Sequence, residues 1–177
     1  MENMIKNNPH DTISIKEKKA PRGGFPFNKK HLYTMITILI MALIFIHSAM
    51  PADLSSKESG LISGFLARSL NQDPEAMSFL IRKCAHFTEY MILGISLFFT
   101  MGEYLTTAGS FSWPVFFSAW GIGTFYAVTD EIHQLFSPGR SCEFRDMCID
   151  CAGVLTGILL IILLRKRGRH TPSDGNR

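Results

Sequence analysis

Cysteine is scarce in this chain. Cys84, Cys142, Cys148 and Cys151 are too few and too scattered for the disulfide framework of a small extracellular scaffold. Cys148 and Cys151 lie three apart in a predicted helix. No second such pair completes a zinc site, so the four are read as free, buried thiols. Charge of one sign is also in short supply. A net charge of +3, with no groove of interleaved basic and aromatic residues, implies no nucleic-acid partner. No A-x-A pattern follows the first apolar run, and the leader before it is long and polar. Both facts argue against a cleaved signal peptide.

What the chain does have is apolar residues gathered into four runs, at 32–50, 91–101, 111–128 and 151–164. The first reaches the roughly 20 residues that cross a bilayer core, and the others reach it once their polar ends are counted. The fold class predicted is all-α: an integral membrane four-helix bundle with a short amphipathic helix in its first outer loop. Spans are placed at about 32–50, 80–101, 111–129 and 146–164, within a membrane domain of 31–165. Residues 1–30 read as a disordered basic tail and 166–177 as a second tail. Of 18 Lys and Arg, seven precede the first run, five follow the last and six lie between. Four spans put both tails on one side, and the excess of basic residues assigns that side to the cytoplasm.

Local signals refine the helices. In 53–72, Leu61, Ile62, Phe65, Leu66 and Leu70 recur at helical spacing, an apolar face suited to covering the bundle's outer mouth or lying on the lipid interface. Covering is the favoured role. Asp73-Pro74-Glu75 is a cap, a proline and an acid in the order that starts a helix, which can run to about Leu105. A turn is expected over 102–112. Ala119, Gly123 and Ala127 form a small-residue stripe for close helix contact. Asp146, Asp150, Gly153 and Gly157 share one helical face, which should turn inward because lipid penalises carboxylates.

Three polar constellations fall where these helices meet the outer membrane face. The first is Lys83, His86, Glu89 and Tyr90. The second is Asp130, Glu131 and Gln134. The third is Arg140 with Asp146 and Asp150. They support three readings. Lys83 and Arg140 suit an anionic headgroup, so the cluster can be a binding pocket. His86 titrates near neutral pH, so with Asp130 or Glu131 it can be a catalytic pair in an enzyme acting on a lipid-linked substrate. Alternatively, Arg82, Lys83, Arg140 and Arg145 nearly cancel Glu89, Asp130, Glu131, Asp146 and Asp150, and the network simply fastens helix ends. Metal ligation by His86, Glu89, Asp130, Glu131 and Asp146 is a weaker option; no metal or other cofactor is expected. His47 and Ser48 border the same mouth, whereas His133 points elsewhere and is expected at the surface.

The segments HFTEYMILG and TDEIHQLFSPGRSCEFRDMCIDCAG resemble the VanZ-like family of small membrane proteins. The family's Lys-x-x-His-x-x-x-Tyr element falls on Lys83, His86 and Tyr90. Its Asp-Glu-x-x-Gln-x-Phe-x-x-x-Arg element falls on Asp130, Glu131, Gln134, Phe136 and Arg140. Its Asp-x-x-x-Asn-x-x-Gly element falls on Asp146, Asp150 and Gly153, with Asp150 replacing the usual Asn. The resemblance implies a multi-pass protein of the bacterial plasma membrane with a role in the cell envelope. The family takes its name from a protein associated with resistance to the glycopeptide teicoplanin, so the partners implied are the lipid bilayer and an envelope lipid or lipophilic glycopeptide. No settled reaction comes with the family.

Overall fold

The computed structural model describes residues 28–106, 112–140 and 142–169, the side chains of 52–59, 61 and 168–169 excepted. Of the predicted tails, 1–27 and 170–177 lie outside the described residues. Among the described residues there are five helices and no strand: α1 (Lys29–Ser48), α2 (Ala52–Leu70), α3 (Pro74–Leu105), α4 (Trp113–Gln134) and α5 (Phe144–Arg169).

The longest helix, α3, is the hub, packing against each of the other four. Its start is written locally. The Asp73 carboxylate accepts from the Ala76 backbone N–H at 3.1 Å, Pro74 holds the first turn, and Glu75 faces the positive helix end. At 32 residues it spans roughly 48 Å, well over the roughly 30 Å hydrocarbon core. It continues through Gly102 to Leu105, so the turn expected from 102 shrinks to 106–112, of which 107–111 lie outside the described residues.

Small residues set the helix spacing. A Cβ at Gly157 would stand 2.1 Å from the Met91 carbonyl oxygen, and one at Gly153 would stand 2.6 Å from that of Phe87. From the α3 side, a Cβ at Gly94 would meet the Val154 carbonyl oxygen at 2.3 Å. The backbones of α3 and α5 therefore approach to a distance only glycine allows. Ala119 and Ala127 of α4 are fully buried, and Gly123 of the same stripe abuts Val154. The core between these helices holds Tyr90, Leu93, Leu97, Phe98, Val154 and Ile158. Deeper along α1, the Thr37 hydroxyl bonds those of Ser96 at 2.7 Å and Thr100 at 2.8 Å, a buried polar tie of the kind that helices use in lipid.

Three helices, α1, α3 and α5, are long and apolar enough to cross a membrane. The 22-residue α4 is long enough, but Asp130, Glu131, His133 and Gln134 at its end keep it out of that group. The expected amphipathic helix corresponds to α2, yet its packing is the reverse of the favoured covering role. Ser63 and Ala67 form the buried face, while Ile62, Phe65 and Leu70 are more than half exposed. Small side chains let α2 lie close to α3, and the bulky apolar ones are left facing out.

Candidate functional site

Where α3, α4 and α5 end near one another, the polar residues converge. Lys83, His86, Glu131, Gln134, Arg140, Asp146 and Asp150 all line a cavity of about 210 Å³, joined by Phe79, Arg82 and Glu143. Sequence spacing thus placed seven of its candidates around one space. The other three, Glu89, Tyr90 and Asp130, lie beside it. Asp130 is 2% exposed and accepts a 2.5 Å hydrogen bond from the Ser48 hydroxyl of α1. The Tyr90 hydroxyl, on a fully buried side chain, sits near the Asp130 carboxylate without a bond of regular geometry. Glu89 faces α1, where it bonds His47 Nδ1 at 2.7 Å. His47 and Ser48 do border this region, each tied to one carboxylate.

The ion pairing departs from the expected third constellation. Asp146 pairs with Lys83 across α3 and α5, not with Arg140. Arg140 instead donates from Nη1 to the Gln134 side-chain oxygen at 3.3 Å. Gln134 in turn donates from Nε2 to Glu131 at 3.0 Å, and the Glu143 backbone N–H donates to the other Glu131 oxygen at 3.2 Å. Gln134 is therefore a neutral spacer between cation and carboxylate. Among the described residues Arg140 is in no ion pair. Burial, and next the nearby Arg82 cation, lower the Arg140 pKa from its ordinary value, opposed by Asp130, Glu131 and Glu89. The guanidinium stays charged all the same.

His86 stacks on His47 with ring centroids 5.5 Å apart. Its Nδ1 is buried without a hydrogen-bond partner, and Glu89 Oε2 stands 3.8 Å away. No three His, Cys, Asp or Glu side chains among the described residues are arranged to hold a metal ion. His133, expected at the surface, stacks on Phe45 of α1 at 4.1 Å, because the rear of α4 meets α1 there. The four cysteines are free, but Cys84 and Cys148 are exposed, not buried: they stand on helix faces that no neighbour covers.

Arg82 and Glu143 are the site residues that sequence reasoning left out of its binding candidates. For Arg82 a signal existed. Phe79, Arg82, Lys83 and His86 follow i, i+3, i+4, i+7 spacing, one face of a helix, and all four line the cavity. For Glu143 there was none, since its part is played by a backbone N–H in the turn before α5.

Apolar helices of membrane-crossing length, with an ionisable cluster gathered between their ends, define an integral membrane protein of the helical class. The VanZ/LLP1 family model matches residues 33–165, and the chain belongs to that family. No curated protein and no solved structure matches it.

Proposed function

We propose that this protein binds the anionic headgroup of an envelope lipid in its polar cavity, at the outer face of a bacterial plasma membrane. The observation that carries the reading is Arg140. Its guanidinium lines the cavity with an amide, not a carboxylate, as its bonded partner. Lys83, the other base favoured for the ligand, is already engaged by Asp146, so Arg140 is the better candidate. Guanidinium matches phosphate in both charge and fork geometry.

Size narrows the ligand. A cavity of about 210 Å³ is smaller than the roughly 300–1,000 Å³ that encloses a drug-sized molecule. It suits a headgroup whose acyl chains remain in the bilayer, and it is too small for a whole glycopeptide. Any tolerance of teicoplanin-type antibiotics would then be indirect, through the state of an envelope lipid. The topology proposed has four spans, α4 included, with both termini cytoplasmic. The excess of basic residues at the two ends of the chain favours it.

A second reading has one observation in its favour. His86 Nδ1 is buried, unbonded and beside the cavity, as a general base awaiting substrate would be. Deleting the protein and profiling lipids and cell-wall precursors by mass spectrometry separates the two. An accumulated lipid-linked precursor supports catalysis. An unchanged covalent profile, with lipid co-purifying with the protein, supports binding.

A further inference from the structure

Arg82 belongs to none of the motif positions, yet it forms part of the wall of two cavities. One is the polar cavity already described. The other, of about 490 Å³, lies between α2 and the start of α3, bounded by Gly60, Ser63, Gly64, Glu75 and Ser78. Arg82 Nε is buried without a hydrogen-bond partner, and its guanidinium is in no ion pair among the described residues. The guanidinium of Arg140 is close enough to repel it. Two partly buried cations facing one cavity, neither ion-paired, are unfavourable until an anion bridges them.

The α2 side has the opposite character. Among the described residues that line it Arg82 is the one base, and Glu75 disfavours a second anion. Ser63 brings a hydroxyl that donates to the Gly60 carbonyl at 3.2 Å and can still accept, Ser78 stands beside it, and at Gly60 and Gly64 there is open space where a Cβ would stand. A carboxylate, hydroxyls and the bare backbone at Gly60 and Gly64 suit a neutral, hydroxyl-rich group.

We infer that Arg82 and Arg140 together clamp a phosphodiester, and that its second substituent is a polyol, a glycerol or a sugar, lodged between α2 and α3. This rests on the headgroup reading above and specifies its ligand. The phosphodiester can come from a membrane lipid or from a soluble glycerophosphodiester.

The full-length protein in neutral detergent tests this by native mass spectrometry. The probes are phosphatidylglycerol, phosphatidylmethanol and deacylated glycerophosphoglycerol. The first two carry the same phosphodiester charge and differ in the polyol. Wild-type protein should bind phosphatidylglycerol roughly tenfold more tightly, as one or two added hydrogen bonds allow. Gly64→Leu should remove that preference and leave phosphatidylmethanol binding unchanged, with Gly60→Leu as a second filler should the first fold poorly. Arg82→Gln should weaken both lipids about tenfold. Displacement by glycerophosphoglycerol marks a soluble ligand, and failure to displace marks a lipid; the clamp holds in either case. Equal affinity for the two lipids, or a preference that survives both fillers, overturns the polyol pocket while the headgroup reading stands. Arg82→Gln binding that matches wild type overturns the clamp. Failure of wild-type protein to bind either lipid overturns the headgroup reading as well.

Discussion

Ser48, the last residue of α1, donates a 2.5 Å hydrogen bond to Asp130 near the end of α4, and both side chains are almost wholly buried. The two helices otherwise touch lightly. A short bond to a buried carboxylate is strong for its size because the alternative is an unsatisfied charge away from water. Ser48→Ala should therefore cost about 1–3 kcal/mol of stability. Denaturant unfolding in mixed micelles would measure it, and a loss near zero would mean that the Asp130 oxygen finds another donor.

The Lys83–Asp146 pair plays the same part between α3 and α5. Lys83→Met leaves Asp146 uncompensated and should cost about 3 kcal/mol, the low end for a buried pair, since the side chains keep 20% and 12% exposure. The double variant Lys83→Met, Asp146→Asn should recover most of that loss. A cycle in which the two losses simply add would show that the pair is not coupled.

Glycine positions on the two sides of the packed layer should respond oppositely. Gly157→Ala places a methyl where the Met91 carbonyl oxygen stands 2.1 Å away, so α3 and α5 must move apart at a cost of about 1–3 kcal/mol. Gly121→Ala meets nothing within 4 Å and should stay within about 0.5 kcal/mol of wild type. Similar losses at both positions would contradict the close α3–α5 contact.

Topology is checked by cysteine accessibility in intact cells, in a background with Cys84, Cys142, Cys148 and Cys151 replaced by serine. Lys57→Cys should react with an impermeant reagent, and Pro172→Cys should react only after permeabilisation. The reverse pattern would move the polar cavity to the cytoplasmic face.

Much of this architecture was legible because it is local. Asp73-Pro74-Glu75 marks a helix start by chemistry confined to four residues, and α3 does begin there. The small faces of α4 and α5 were read from spacing alone, since three- and four-residue steps return to one side of a helix. Convergence of Lys83, His86, Glu131, Gln134, Arg140, Asp146 and Asp150 followed from the need to shelter charge from lipid. The partners within the cluster were not legible. Asp146 choosing Lys83 over Arg140, and His47 reaching Glu89, depend on helix rotation and side-chain reach that spacing does not encode. The outward apolar face of α2 has the same cause: nothing in its period says whether a helix turns its large or its small residues to its neighbour.

Arg140 is where binding and mere fastening part company. Its bonded partner is the neutral Gln134 amide, so losing its charge strands no paired carboxylate. The direct measurement is phospholipid affinity and folded yield of Arg140→Gln beside wild type, both full length and in the same detergent. The expected result is folded protein at wild-type yield with affinity for an anionic phospholipid at least tenfold weaker, about 1.4 kcal/mol or more. Unchanged affinity, or a variant that fails to accumulate as folded protein, would contradict a ligand site at Arg140 and leave the cluster as a fastening for the helix ends.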